Sequence, residues 1–229
     1  MDYSNVYKKV ASSVVNVIQV NPDNSCRDFA TGVLIGDGSK VLTCSHCVDT
    51  HFRNAIYTKS TNQFQVGTII FNDTDKDIAI LDMGKIVGNA ASIRTSASLE
   101  IGNEVFTVGF PYSFAGEKTL TTGHVAAFEE GLIKIDTSVN NGNSGGALFN
   151  CNGEIVGIVN AKLGSLSDFL NAVARTKPQA FMQIDGIDPV KIIQQMIREM
   201  QRNLNLGIGY AVPADTIANI VPFVKTLIV

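Results

Sequence analysis

No apolar run in these 229 residues approaches the roughly 20 that a membrane-spanning helix needs. The first residues, Met1-Asp2-Tyr3-Ser4-Asn5, also lack the basic-then-apolar pattern of a secretory leader, so the chain as given reads as cytosolic. Basic clusters are missing too. The formal net charge is only -3 and Lys and Arg gather nowhere, which argues against nucleic acid as a partner. Charged residues make up 17% of the chain against 45% apolar, the balance of a globular rather than a disordered protein. Cysteine is sparse: Cys26, Cys44, Cys47 and Cys151, in a chain this long and without a leader, read as thiols rather than as a disulfide framework. Histidine is scarcer still, with three in all, so each can be weighed singly.

What the chain does contain is short strands. Ala11 to Val20, Phe29 to Ile35, Lys40 to Thr43, Ala55 to Thr58, Gln65 to Phe71 and Ile78 to Met83 carry strand-like runs, with Asn21-Pro22-Asp23-Asn24 and Gly36-Asp37-Gly38-Ser39 as turns. Six short strands with turns between them suggest a closed barrel. After a less periodic connection from Gly84 to Leu99, a second set follows: Glu104 to Val108, Leu120 to Phe128, Leu132 to Ile135, Ala147 to Phe149, Glu154 to Asn160 and Ile208 to Val212. No sequence repeat links the halves.

Chemistry concentrates in Asn140-Asn141-Gly142-Asn143-Ser144-Gly145-Gly146-Ala147-Leu148-Phe149. Taken alone, it is either a Gly-Asn turn between strands or a loop built to present one serine. A serine hydroxyl becomes a nucleophile only beside a base, and it needs backbone amides aimed at the developing oxyanion. Two upstream stretches supply the missing parts. Thr43-Cys44-Ser45-His46-Cys47-Val48 ends an apolar strand on a histidine, and Asp77-Ile78-Ala79-Ile80-Leu81 opens another on a carboxylate.

The order His, Asp, Ser, within LTCSHCV, DIAIL and GNSGGALFN, closely resembles the chymotrypsin-like serine peptidases, and among them the HtrA (Deg) type. The resemblance runs from about Thr31 to Ala161 and resumes at Gly207-Ile208-Gly209-Tyr210-Ala211-Val212-Pro213. It implies an all-β fold of two six-stranded antiparallel β-barrels with a C-terminal helix. Residues 1–90 form the barrel with His46 and Asp77, and residues 91–229 form the barrel with Ser144. HtrA-type proteins usually carry a peptide-binding PDZ domain, for which this chain leaves no room after Val229, so trimer assembly is not carried over.

The resemblance assigns the roles. His46 is the general base and then the acid, Asp77 fixes its tautomer, and Ser144 attacks, with the N–H groups of Gly142 and Ser144 as the oxyanion hole. Asp73, Asp75 and Asp82 compete for the carboxylate role, but only Asp77 opens the DIAIL run. Asn143 is neutral where secreted trypsin-like zymogens use an aspartate, and the chain has no Ile-Val-Gly-Gly start, which argues against activation by N-terminal cleavage. Ser138 falls at the floor of the specificity pocket with Val139 beside it, and Asn160, Ala161 and Lys162 lie on the strand that a substrate would pair with. With no carboxylate at the floor, a small or medium apolar residue is expected before the scissile bond. Neither a metal nor an organic cofactor is called for. The expected partners are protein or peptide substrates, with no nucleic acid and no membrane.

Two features stand outside this pattern, the segment 162–206 and the pair Cys44 and Cys47, whereas the closing helix belongs to it. Residues 162–206 look like an inserted helical segment, because Val190, Ile193, Ile197, Met200 and Leu204 recur at helical spacing behind Asp188-Pro189. Such a segment can cover a barrel face, mediate self-association or bind a regulatory partner, or close the cleft. A terminal helix is expected at 214–227, with Pro222 bending or interrupting it. Cys44 and Cys47 bracket His46 as C-x-x-C, read as two small buried thiols; zinc needs two further ligands and would take the catalytic base. The leading expectation is a serine endopeptidase. The alternatives are a latent protease-fold binding module and, more weakly, a redox or metal sensor on the two cysteines.

Overall fold

The computed structural model describes residues 2–58, 62–111, 116–140, 142–160, 189–203 and 207–228, with backbone alone at 197–203. Helix α1 (Ser4–Val10) leads into strands β1 (Val14–Val20), β2 (Cys26–Ile35), β3 (Lys40–Thr43), β4 (Arg53–Thr58), β5 (Gln63–Asp73) and β6 (Ile78–Asp82). They close into a barrel in the order β1-β2-β3-β6-β5-β4, every pairing antiparallel. Strands β7 (Glu104–Gly109), β8 (Thr119–Glu129), β9 (Leu132–Ile135), β10 (Ala147–Asn150), β11 (Ile155–Asn160) and β12 (Gly209–Pro213) close the second barrel, β7-β8-β9-β12-β11-β10. The two halves thus share one strand order without sharing a visible sequence repeat.

Strands buried on both faces explain why the apolar runs are continuous rather than alternating. On β2 every residue from Ala30 to Ile35 is buried. Leu34, Val41, Ala79 and Leu81 point into the first barrel, while their neighbours Val33, Ile35, Leu42 and Ile80 join Phe106, Val108, Phe149 and Ile158 of the second barrel in one shared core. Within it the Phe106 and Phe149 rings stack at 5.2 Å between centroids. Strand β5 packs on one face only and accordingly alternates between exposed and half-buried residues.

Helix α2 (Pro189–Asn203) starts at the proline that the sequence places in its first turn. Its buried side carries Gln194, while Ile192, Ile193 and Met196 are exposed. Residues 161–188, the rest of the inserted segment, lie outside the described residues. Pro222 divides the terminal helix into α3 (Ala214–Ile220) and α4 (Pro222–Lys225), since its ring cannot continue the preceding turn. The Asp215 carboxylate in the first turn of α3 accepts hydrogen bonds from Thr95 Oγ1 (3.0 Å) and the Ala97 amide (3.0 Å), and also from Ser96 Oγ. This ties the closing helix to the connection between the barrels.

Candidate active site

Strand register brings the histidine and the carboxylate together. Thr43, the last residue of β3, pairs with Ala79 on β6, so the two residues flanking those strand ends, His46 and Asp77, emerge side by side. His46 sits in the 3-10 turn Ser45–Cys47, and Asp77 stands just before β6 at φ +55, in the left-handed region that aspartate tolerates better than most side chains. One carboxylate oxygen of Asp77 takes the His46 backbone N–H (2.9 Å), and the other lies 2.7 Å from His46 Nδ1. This grip sets both the position of the residue and the tautomer of its ring, leaving Nε2 as the basic nitrogen.

Asn160 completes the support, donating from Nδ2 to the same Asp77 oxygen at 2.6 Å. Sequence reasoning placed Asn160 only on the substrate strand. Its burial at 3% was the missing signal, because a buried amide at a strand end must have a partner. The serine loop is fastened to that same strand: the Gly145 N–H donates to the Val159 carbonyl (2.9 Å) and the Val159 N–H to the Gly146 carbonyl (2.8 Å). Ser144 therefore lies beside Asn160, and its carbonyl accepts a contact from the Cys47 thiol at 3.7 Å, next in sequence to His46.

Thr31 of β2, fully buried, locks the loop onto the first barrel. Its amide donates to the Ser144 carbonyl (2.9 Å), and its hydroxyl donates to the Gly142 carbonyl (2.6 Å) and accepts from the Phe110 N–H (3.1 Å). Gly142 has φ +97, and a Cβ there would stand 2.2 Å from the Phe110 oxygen. Gly145, at φ +81, would put a Cβ 2.0 Å from Thr43 Oγ1. Glycine is demanded twice at these positions, by dihedral and by space. Asn143, buried and neutral, lies between them.

Burial is the largest influence on His46 and disfavours its charged form, but the hydrogen bonds with Asp77 and Cys47 outweigh it and push the imidazole up to about 9. The converse holds at Cys47: burial pushes the thiol up, while hydrogen bonds from Cys44 and His46 prevail and lower it. Both shifts describe one contact that favours imidazolium beside thiolate. The hydrogen bond with Cys47, and burial, hold Cys44 well above the ordinary thiol range.

The remaining candidates separate clearly. Ser138 is exposed, and Val139 is half-buried, with Cγ2 only 2.5 Å from where a Gly209 Cβ would stand. Ala161 and Lys162 lie outside the described residues. His51 is exposed and leans on Asp49 (2.9 Å), and His124 pairs with Asp136 (3.3 Å), so both serve surface contacts. Cys44 and Cys47 are buried, and all four cysteines are thiols. A cavity of about 640 Å³ opens beside His46, lined also by Asn72, Asp75, Asp77 and Asn160.

The model of the trypsin-like peptidase domain matches residues 30–158, more than half of the chain. The chain belongs to the trypsin-like peptidase family. Serine endoprotease DegS of Haemophilus influenzae is 24% identical over 216 residues, covering 90% of this chain and 59% of that protein. The periplasmic pH-dependent serine endoprotease DegQ of Escherichia coli is 34% identical over 159 residues, 62% of this chain and 34% of that protein. Among solved structures, the HtrA-type protease AlgW with a tripeptide shares the fold at a TM-score of 0.69 and 19% identity, over 96% of this chain and 62% of that one. This trypsin-like peptidase domain thus spans less than two thirds of each of these relatives.

The cytosolic expectation is corrected by these names, since DegQ and DegP-like relatives are called periplasmic. It rested on the lack of a leader pattern at residues that belong to the fold itself. Val10 of α1 is part of the shared core, so the start of this chain carries no address either way.

Proposed function

We propose that this trypsin-like peptidase domain is a serine endopeptidase that cleaves protein chains by acyl transfer through Ser144. The observation that carries the reading is the doubly anchored histidine: Asp77 grips both the Nδ1 and the backbone amide of His46, and is itself held by Asn160. With Nδ1–H committed to the carboxylate, Nε2 takes the proton of Ser144 Oγ as the oxygen attacks the substrate carbonyl. Asp77 stabilises the imidazolium that forms. The oxyanion is assigned to the N–H groups of Gly142 and Ser144, where the positive φ of Gly142 lets the loop turn its amides toward one point. His46 then returns the proton to the leaving amine, and water, activated by the same nitrogen, releases the acid.

A small or medium apolar residue before the scissile bond is the proposed preference. Supporting it, Ser138 is uncharged and Val139 is an apolar neighbour that lies against Gly209. The names of the relatives support a place outside the cytoplasm. The exposed Ile192, Ile193 and Met196 of α2 support self-association or a regulatory partner there, which light scattering of wild type against Ile193→Glu would test.

Hydrolysis of a reduced, carboxymethylated protein substrate tests the activity directly. Wild type should yield new N-termini, and Ser144→Ala none. Equal proteolysis by the two would end the assignment of the nucleophile.

A further inference from the structure

Two sulfurs flank the proposed catalytic histidine, and nothing in the peptidase reaction uses them. Cys44 is 0% and Cys47 is 6% exposed. Cys44 immediately precedes the 3-10 turn Ser45–Cys47 and Cys47 ends it, and the Cys47 N–H to Cys44 carbonyl bond (3.1 Å) closes the turn and brings the two residues together. The turn thereby gathers both Sγ atoms and a ring nitrogen of His46 within 4.8 Å of one another. Zinc-class ions take sulfur at about 2.3 Å and imidazole nitrogen at about 2.0–2.1 Å, so donors at that separation need only a small inward adjustment.

We propose that Cys44, His46 and Cys47 form a binding site for a thiophilic divalent cation of the zinc class, and that filling it switches the peptidase off. Four features of the site fit such an ion. Two thiolates neutralise a dication, which removes the main cost of burying it. The sulfur and nitrogen set selects against magnesium and calcium, which demand oxygen. Asp77 holds Nδ1–H, so Nε2 is the nitrogen left to ligate, and a carboxylate behind a ligating histidine is the usual outer support of a zinc site. Finally, His46 keeps 16% of its side chain exposed and Cys47 keeps 6% of its surface, so the donor set is not sealed from water, which can serve as the fourth ligand.

Binding balances simply: the ion enters and two protons leave to solvent, one from the Cys44 thiol and the one shared between Cys47 and His46 Nε2, while His46 keeps its Nδ1 proton and gives the Nε2 lone pair so freed. The expectation of no metal for catalysis is unaffected, because this ion takes the nitrogen that must accept the Ser144 proton. The inhibitory half of the proposal rests on the peptidase reading, whereas the binding half does not.

The test is titration of reduced, chelator-treated protein with Co2+. One ion per chain, with thiolate-to-cobalt charge-transfer absorption, is expected for wild type. The absorption should be absent in Cys44→Ser/Cys47→Ser, whose hydroxyls can keep the hydrogen bonds to the Val159 and Ser144 carbonyls. Circular dichroism and melting check the fold, and Cys44→Ser alone serves if the double variant is unstable. Asp77→Asn should weaken binding ~10–100-fold. No charge-transfer absorption in the wild type, or equal uptake by the double variant, overturns the site. Thiol titration of denatured protein that was never reduced, showing two free thiols instead of four, together with no cobalt uptake after reduction, would replace it with a Cys44–Cys47 disulfide. Zn2+ should stop wild-type proteolysis, with EDTA restoring it, and should leave whatever activity the double variant has unchanged. Cobalt binding without inhibition by Zn2+ refutes the switch. Cobalt binding with no proteolysis under any condition leaves the site standing and refutes the peptidase reading instead.

Discussion

Replacing Thr31 with valine removes one hydroxyl and keeps the shape, yet Thr31 joins the serine loop to the first barrel. Its hydroxyl donates to the Gly142 carbonyl at 2.6 Å and accepts from the Phe110 amide at 3.1 Å, in a residue with no exposed surface. Valine leaves both groups unpaired, at about 1–3 kcal/mol each, and the added methyl returns up to about 1 kcal/mol. The expected net loss is about 1–6 kcal/mol, a large share of the 5–15 kcal/mol typical of a domain. The freed Gly142 carbonyl also lets the proposed oxyanion loop drift, so kcat should fall roughly 10–100-fold with a smaller change in KM. Urea denaturation and steady-state peptide hydrolysis measure the two effects. Thr31→Ser, which keeps the hydroxyl, should cost about 1 kcal/mol and retain kcat. A valine variant within about 0.5 kcal/mol of wild type, the scatter of a neutral surface change, with unchanged kcat would refute the reasoning, as would a serine variant equally impaired.

Asp77→Asn should leave the fold intact and lower kcat by up to ~10⁴-fold, because an amide facing Nδ1 selects the wrong tautomer; single-turnover acylation measures it. In metal-free protein the acid limb of kcat/KM should lie above the ordinary histidine range, toward about 9, since only neutral His46 can accept a proton and its pKa is raised. Cys47→Ala removes one of the groups favouring the imidazolium and should move that limb to lower pH; a wild-type limb at or below 6.5, the unperturbed value, contradicts the assignment. Asp215→Ala strands the Thr95, Ser96 and Ala97 donors at the head of α3 and should cost about 2–3 kcal/mol, read from the urea midpoint, without changing kcat.

The barrels were legible because strands buried on both faces leave unbroken apolar runs, as in Ala30 to Ile35, and because turn residues punctuate them. The meeting of His46 and Asp77 was legible because each sits in a short motif at a strand end, where topology rather than side-chain choice fixes position; the serine proposed to join them, Ser144, lies in a motif of the same kind. Asn160 and Thr31 were not recognised for what they do. Their work is to hydrogen-bond groups 83 and 111 positions away, and no local pattern encodes such a pairing. The facing of α2 was left open for a related reason. Periodicity marks an apolar stripe but not which side meets the protein, and here Gln194 turns inward while Ile193 turns out. The compartment was misread because an absence at the start of a chain was given weight it does not have.

The central claim is that Ser144 is a nucleophile activated by His46. Intact mass after treatment with a fluorophosphonate tests it most directly, on wild type, Ser144→Ala and His46→Ala, each confirmed folded. One adduct on wild type and none on either variant is the predicted result. A folded wild type that takes no adduct, or a Ser144→Ala variant that still takes one, would contradict the account.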